Sequence, residues 1–191
     1  MKVVAVNGSP RVDGNTAALI KHVFRVLEEE GIETELIELR GKKIGGCVAC
    51  LKCFANKDGK CAVKSDFLNE CVAKMAKADG IILGSPTYFS DVTAEMKALI
   101  DRSGMVAMAN DAMFKRKVGA GIVATRRTGA IHAFATINLF FLISDMIVVG
   151  SNAWNVGFGF IEGEVENDTD GIEYMRNLGE NMAWLLKRLH G

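Results

Sequence analysis

The stretch from Asn7 to Thr16 combines residue types that can bind an anion. It follows a short apolar run, Val3–Val6, and precedes a helical pattern. A strand, a glycine-bounded loop and a helix in this order expose backbone N–H groups at the helix N-terminus, where a phosphate is well placed. The stretch therefore predicts a phosphate site. The residues that would form it are Ser9, Arg11, Gly14, Asn15 and Thr16.

Two better-known nucleotide loops do not match this stretch. A P-loop requires G-x-x-x-x-G-K-[ST], but one residue too many separates Gly8 from Gly14, and Asn15 stands where the Lys belongs. The dinucleotide fingerprint G-x-G-x-x-G has only one of its glycines in place. A loop of hydroxyls, amides and backbone N–H groups suits a single terminal phosphate without Mg²⁺, such as that of FMN in a flavodoxin-like fold. The alternative is an ordinary turn between strand and helix.

Four of the five cysteines lie close together and form a second candidate site. The spacing C-x-x-C-x-x-C places three thiolates on one short segment, and a fourth cysteine follows after seven residues. A [4Fe–4S] cluster needs four thiolates, and such a segment can supply three of them. The candidate metal ligands are Cys47, Cys50, Cys53 and Cys61.

Two other interpretations of these cysteines stay open. A zinc site with four cysteines usually has two separated C-x-x-C pairs, which differs from this triple spacing. The side chains could also be free thiols of a protein without a metal. The fifth cysteine, Cys71, falls on the apolar face of a predicted helix and is predicted to pack in the core.

The motif G-S-P-R-x-x-G-N-T, which begins at Gly8, and the later Pro86-Thr87-Tyr88-Phe89 carry a family resemblance. Together they resemble the NADPH-dependent FMN reductase family over nearly the whole chain. Within that family, the cysteine spacing is similar to that of the iron–sulfur flavoproteins. The resemblance implies an FMN-dependent oxidoreductase with NAD(P)H as a possible co-substrate.

The same resemblance implies where the flavin ring lies. Pro86, Thr87, Tyr88 and Phe89 would form one wall of its site, with Tyr88 offering a π-face and a polar tip. The loop Ala124–Ala130 is the third contact, where relatives have an Arg followed by two glycines and this chain has Arg127-Thr128-Gly129-Ala130. The candidate residues there are Thr125, Arg127 and Gly129. No side chain is predicted to act as a catalytic acid, base or nucleophile, because the redox chemistry belongs to the flavin.

The elements that must position these residues alternate along the chain. Apolar runs near positions 2–7, 33–39, 81–84, 117–124 and 146–150 predict strands, and amphipathic segments between and after them predict helices. The pattern predicts an α/β protein, a flavodoxin-like three-layer sandwich with a five-stranded parallel sheet in the order 2-1-3-4-5. Residues 1–191 would form a single flavodoxin-like FMN-binding domain with a cysteine-rich loop at about 40–64.

Charge and hydropathy argue against two classes of protein, those that bind nucleic acid and those that span a membrane. Lys plus Arg and Asp plus Glu number 23 each, so no net charge favours nucleic acid. The most apolar stretch, 131–150, is interrupted by His132, Asn138 and Asp145, which argues against a membrane span. The chain starts with a strand pattern and clusters its thiols, so we expect a cytoplasmic protein without a signal peptide or disulfides.

The leading functional prediction is an electron-transfer flavoprotein in which FMN exchanges electrons with a loop-bound [4Fe–4S] cluster. Its expected partners are a small redox protein such as ferredoxin, or NAD(P)H and quinone. One alternative is a cluster-free NAD(P)H-dependent FMN or quinone reductase, and another is a non-catalytic flavodoxin-like binding module. A helix around positions 133–143 has more apolar residues than one core face requires, including Phe134, Ile137, Phe140 and Phe141. This surplus predicts a homodimer or homotetramer.

Overall fold

A computed structural model describes residues 1–191 and contains one six-stranded sheet. Its strands are β1 (Lys2–Asn7), β2 (Glu33–Glu38), β3 (Gly80–Pro86), β4 (Val118–Thr125), β5 (Ile147–Val148) and β6 (Val156–Phe158). The strands pair in parallel in the order β2-β1-β3-β4-β5, and β6 also pairs with β4. The predicted flavodoxin-like order is confirmed, with one short strand added.

Helices cover both faces of the sheet. They are α1 (Asn15–Glu29), α2 (Lys52–Asn56), α3 (Leu68–Lys77), α4 (Ala94–Ala109), α5 (Ala130–Ile143) and α6 (Thr169–His190), with a 3₁₀ turn at Glu164–Asn167. Side chains of α1 and α6 belong to one buried cluster, and those of α3, α4 and α5 belong to the other. The arrangement confirms the predicted three-layer sandwich.

The central strand β1 shows why its sequence is almost continuously apolar. Val3 and Ala5 pack in the cluster that contains α1, whereas Val4 and Val6 pack in the opposite cluster. Successive side chains of a strand point to opposite faces, so a strand covered on both faces must be apolar at every position. The strand β2 lies at the edge of the sheet, pairs only with β1, and carries charged residues among its apolar ones.

The fifth predicted strand, at positions 146–150, is divided in the structure. β5 pairs only with the first two residues of β4, and the chain then leaves the sheet before β6 pairs with Val123–Thr125. Buried Asn155 bridges the interruption, since its carbonyl accepts the Val123 N–H at 3.0 Å and its side-chain amide donates to the Gly121 carbonyl at 2.9 Å. Backbone groups of β4 therefore remain hydrogen-bonded between β5 and β6, although the intervening chain lies outside the sheet.

Helix α5 carries apolar side chains on its exposed face as well as on its buried face. Three of the residues expected to be surplus, Ile137, Phe140 and Phe141, are buried in the core. The exposed apolar side chains are others, chiefly Leu139, Leu142 and Ile143. No helix of the protein is both long enough and apolar enough to cross a membrane.

The parallel register brings three loops to one edge of the sheet. Asn7, at the end of β1, lies beside Gly84 of β3, and Pro86, at the end of β3, lies beside Ala124 of β4. The loops that follow these strands therefore emerge side by side. In an open parallel sheet, this carboxyl edge is where ligands bind.

Candidate functional site

A solvent-open cleft of about 170 Å³ lies between these three loops. Eight of the residues predicted to contact a flavin line it, namely Ser9, Arg11, Asn15, Thr16, Pro86, Thr87, Tyr88 and Thr125. Four other predicted residues do not line it, namely Gly14, Phe89, Arg127 and Gly129. The cleft thus brings together residues that are far apart along the chain.

The loop after β1 is held by its own side chains. The Asn7 side-chain oxygen accepts the Ser9 N–H at 3.0 Å, and the Ser9 hydroxyl oxygen accepts the Arg11 N–H at 3.2 Å. The Thr93 hydroxyl, at the start of α4, also holds the loop by donating to the Gly8 carbonyl at 2.9 Å. These bonds leave the hydroxyl hydrogen of Ser9 free to donate into the cleft.

The first turn of α1 is left open toward the cleft. The residue before the helix is Gly14, and no side chain caps the N-terminal N–H groups. A helix start of this kind leaves several backbone donors without an acceptor. A side chain at Gly14 would also be crowded, since an added Cβ would lie 2.9 Å from the Arg11 Cβ. The geometry favours an anion at the helix N-terminus.

Two buried hydroxyls in the cleft have no hydrogen-bond partner. They belong to Thr16 and Thr87, which follow β1 and β3 respectively. A buried polar atom without a partner costs about 1–3 kcal/mol. Both residues line the cleft, so a polar ligand bound there within reach of these hydroxyls would remove this cost. This observation fits an FMN phosphate near Thr16 and a polar ring edge near Thr87.

Asn15 and Arg11 have partners that the sequence did not predict. The Asn15 side chain donates to the Ile161 carbonyl at 3.0 Å and accepts the Val165 N–H at 3.3 Å. The Arg11 guanidinium donates to the Phe160 carbonyl at 2.5 Å. Both side chains therefore hold the segment 160–165 against the start of α1, and its first residue, Phe160, lines the cleft.

The loop after β3 forms a tight hairpin. Tyr88 and Asp91 exchange backbone hydrogen bonds, and the two residues between them, Phe89 and Ser90, both have left-handed backbone angles. Tyr88 lines the cleft and is half-exposed, whereas the Phe89 side chain is fully exposed outside it. Gly129 has a φ of +84°, and an added Cβ would lie 2.7 Å from the Ser90 hydroxyl oxygen. Its role in the structure is to let two loops approach.

Four residues of the cleft were not among the individually predicted contacts. Ala124 and Arg126 belong to the predicted contact loop after β4, whereas Gly159 and Phe160 lie in a segment that was not predicted to contact the flavin. The guanidinium of Arg126, not that of Arg127, lies over the Phe160 ring at 4.2 Å from its centroid. Phe160 reaches the cleft because β6 pairs with the end of β4. A glycine- and aromatic-rich composition marks this segment in the sequence, but its pairing partner is distant in the chain and leaves no local signal.

The cysteine-rich segment borders a separate cavity beside α4. All five cysteines are unpaired; Cys47 and Cys50 are exposed, Cys53 is buried on the short helix α2, and Cys61 is half-buried. The four predicted ligands all line this cavity together with mainly apolar residues. No three of their sulfur atoms lie close enough together to hold a metal ion in this conformation. The donor set fits an iron–sulfur cluster in its chemistry, while the loop is not closed around one.

A buried ion pair supports the cysteine segment from α4. Arg102 and Asp66 are paired, with only 2% and 3% of their side chains exposed. Asp66 also accepts the Gly45 N–H at 3.2 Å. Burial favours the neutral carboxyl group, but the hydrogen bonds from Arg102 and Gly45 outweigh it and hold the pKa of Asp66 below its ordinary value.

The sequence of this chain is similar to those of known proteins. Residues 1–160 match the family described as NADPH-dependent FMN reductase. An iron-sulfur flavoprotein of Methanocaldococcus jannaschii is 41% identical over 194 residues, with 98% of each chain covered. The chain belongs to the NADPH-dependent FMN reductase family. The resemblance predicted from the two loop motifs is thereby confirmed.

Two further similarities agree with this assignment. An iron-sulfur flavoprotein of Methanosarcina thermophila is 32% identical over 189 residues, which cover 98% of this chain and 96% of that one. The solved structure of an NAD(P)H:quinone oxidoreductase from Methanothermobacter marburgensis superimposes with a TM-score of 0.71 at 14% identity, covering 95% of this chain and 98% of that chain. The structural likeness confirms the fold, and family membership makes this chain an FMN-dependent oxidoreductase.

Proposed function

We propose that this oxidoreductase passes electrons between FMN in the cleft and a [4Fe–4S] cluster held by Cys47, Cys50, Cys53 and Cys61. The observation that carries the proposal is the pair of sites on one chain. One is a cleft with unpartnered buried hydroxyls, and the other is a single cavity bordered by four free cysteines. The names of the two archaeal relatives support the same combination.

In the cleft, this chain's residues would bind FMN at two ends. Ser9, Thr16 and the open first turn of α1 would hold the phosphate, while Thr87 and Tyr88 would contact the ring. Arg126 would add positive charge. When bound, FMN supplies an acceptor for two electrons that can release them one at a time.

The other predicted flavin contacts remain part of the proposal in a supporting role. Gly14 and Gly129 allow the close approach of loops that shape the cleft. Arg11 and Asn15 hold the segment 160–165 against the start of α1, and this places Phe160 at the cleft. Phe89 projects beside the cleft and Arg127 lies on its outer side, where a second molecule could contact them.

In the cysteine segment, the four thiolates would each bind one iron. The cluster, when bound, supplies one-electron transfer. Cys53 and Cys61 are already packed against α4, so Cys47 and Cys50 must approach them when the cluster is inserted. Residues 41–51 contain no helix or strand, and this irregular backbone can make the movement.

The external partners follow from the proposal. Reducing equivalents would come from NAD(P)H or a small redox protein such as ferredoxin, and quinone is a candidate acceptor. The free cysteines fit the reducing environment of the cytoplasm. The exposed apolar side chains of α5, Leu139, Leu142 and Ile143, would form a contact in a homodimer or homotetramer.

Anaerobic purification tests the central proposal. The protein should contain about one FMN and, after incubation with ferrous iron and sulfide, about four iron atoms and four acid-labile sulfides per chain. Dithionite should then bleach a broad visible absorption in addition to the flavin bands. A preparation that binds FMN but retains no iron or sulfide would contradict the cluster.

One observation favours a second candidate, a cluster-free NAD(P)H-dependent FMN or quinone reductase. The four cysteine sulfurs are not arranged as a metal site, and two of them are exposed. This candidate predicts that a variant with Cys47, Cys50, Cys53 and Cys61 all changed to Ser oxidises NAD(P)H with quinone as fast as the unmodified protein does. A variant at least tenfold slower would exclude it.

A further inference from the structure

A single buried side chain connects both ends of the cysteine segment. One terminal nitrogen of Arg102, Nη1, donates to the Gly45 carbonyl at 2.9 Å, just before Cys47. The other, Nη2, donates to the Cys61 sulfur at 3.3 Å and to the Val63 carbonyl at 3.4 Å. Arg102 thus contacts the chain on both sides of the four cysteines and one of the sulfurs directly.

The contact with sulfur is selective. Among the four candidate ligands, only the Cys61 sulfur accepts a hydrogen bond from a charged side chain. The guanidinium is held in place for this contact, because Asp66 binds Nη1 and also accepts from Nη2 at 3.2 Å. With 2% of its side chain exposed, Arg102 is shielded from bulk water.

We propose that Arg102 is a positioning residue for the cluster, which holds the Cys61 thiolate through an N–H···S hydrogen bond and raises the cluster's reduction potential. This inference rests on the proposed function, since it requires a cluster on the four cysteines. Reduction adds one electron and makes the cluster and its thiolates more negative. A hydrogen bond and a buried positive charge at one thiolate stabilise that reduced form more than the oxidised form.

The side-chain shape explains why arginine occupies this position. Arg102 uses both terminal nitrogens at once, one toward Gly45 and Asp66 and the other toward Cys61, Val63 and Asp66. A lysine has one terminal nitrogen, so it can neutralise Asp66 but cannot span the same acceptors. A lysine variant should therefore keep the charge balance of the buried pair and lose the fixed contact with sulfur.

The decisive measurement is the cluster's midpoint potential, titrated anaerobically with dithionite and mediators and followed by electron paramagnetic resonance. A double variant, Arg102→Met with Asp66→Asn, removes the pair without leaving an unpaired buried charge. At the midpoint of the unmodified protein, we expect its ratio of reduced to oxidised cluster to be roughly threefold to tenfold lower, as for one charged hydrogen bond. The single variant Asp66→Asn is the matched control, and its potential should be unchanged or higher.

The control Asp66→Asn distinguishes an effect of Arg102 on the cluster's potential from mere support of the cysteine segment. Both variants break the ion pair, so a purely structural role predicts that their potentials change alike or not at all, and either result would overturn the proposal. If the double variant fails to take up a cluster, Arg102→Lys replaces it. That variant should load iron and show a lower potential, and an unchanged potential would again overturn the proposal. Unmodified protein that takes up no iron would instead refute the proposed function, and the inference with it.

Discussion

The flavin cleft and the cysteine segment differ in how much of their geometry exists before a cofactor binds. The cleft lies at the ends of β1, β3 and β4, whose relative positions are fixed by continuous backbone ladders. Its two hydroxyls without hydrogen-bond partners are already buried before a ligand binds. Their burial lowers the stability of the folded protein. The cysteine segment has irregular backbone, two exposed thiols and no assembled metal site.

The difference shows two ways in which a fold can provide for a cofactor. A ligand of the cleft meets donors that are already placed, so little conformational entropy is lost on binding. A cluster in the cysteine segment must order part of the chain that holds it, and metal binding is then coupled to local folding. The two sites should consequently respond independently to substitution.

The largest expected effect tests this independence. Changing Cys47→Ser should remove nearly all bound iron and sulfide, because the remaining thiolates cannot complete the ligand set. The FMN content should stay the same, since Cys47 does not line the flavin cleft. Iron, sulfide and flavin assays on one anaerobic preparation measure both quantities.

The fifth cysteine provides the control for that experiment. Cys71 lies on the core face of α3 and is fully buried, so Cys71→Ala should retain iron and sulfide. Loss of flavin together with iron in the Cys47→Ser protein would show that the two sites are built as one unit.

The second expected effect concerns the preformed cleft. Replacing Thr16 by Val keeps its shape and removes an unpartnered hydroxyl. The apo-protein should become more stable by about 1 kcal/mol, while FMN should bind about tenfold more weakly because a hydrogen bond to a charged phosphate is lost. Denaturant unfolding of the apo-protein and flavin fluorescence titration measure the two changes.

Opposite signs for stability and affinity are the mark of a donor held ready for a ligand. Thr34→Val serves as control, because the Thr34 hydroxyl already donates to Glu28 outside the cleft. Its FMN affinity should be unchanged. Equal FMN affinities for Thr16→Val and the unmodified protein would remove Thr16 from the phosphate site.

The third effect is a dependence of stability on pH. Burial, followed by the nearby charge of Glu70, raises the pKa of the Cys71 thiol from its ordinary 9.0 to about 12. The unfolded chain therefore releases this proton at lower pH than the folded protein does. The stability that Cys71 contributes is complete below about pH 9 and is lost as the pH rises toward about 12.

Chemical unfolding under reducing conditions can measure this effect. From pH 8 to pH 10, the unmodified protein should lose about 1 kcal/mol more unfolding free energy than Cys71→Ala does. Parallel pH profiles for the two proteins would show that Cys71 ionises as readily in the folded protein as in the unfolded chain.

The smallest effect concerns the wall of the cleft. Arg126→Ala removes the cation from the Phe160 ring, an interaction worth about 0.5–1 kcal/mol at an exposed site. FMN affinity should fall by about twofold to fivefold. Arg127→Ala, which lies outside the cleft, should change the affinity less. A larger loss for Arg127→Ala would favour the prediction made from the sequence over the arrangement in the structure.

Much of the fold could be predicted because its signals are local. The apolar runs of β1 and β4 identify strands covered on both faces, and the glycine-bounded stretch after β1 identifies the start of α1 within a residue. The end of α4 was harder to predict, because the charged Arg102 does not end the helix, which continues to Ala109. A charged residue normally marks the exposed side or end of an amphipathic helix, and here Asp66 on another segment neutralises it.

The sequence by itself determined the loop after β1, the cysteine spacing and the alternation of strands and helices. Each of these depends on neighbouring residues and on backbone geometry that repeats over a few positions. Only the tertiary structure decided that Phe160 lines the cleft and that Arg102 reaches Cys61. Such contacts join residues far apart in the chain, and their partners are selected by the packing of the whole sheet and its helices.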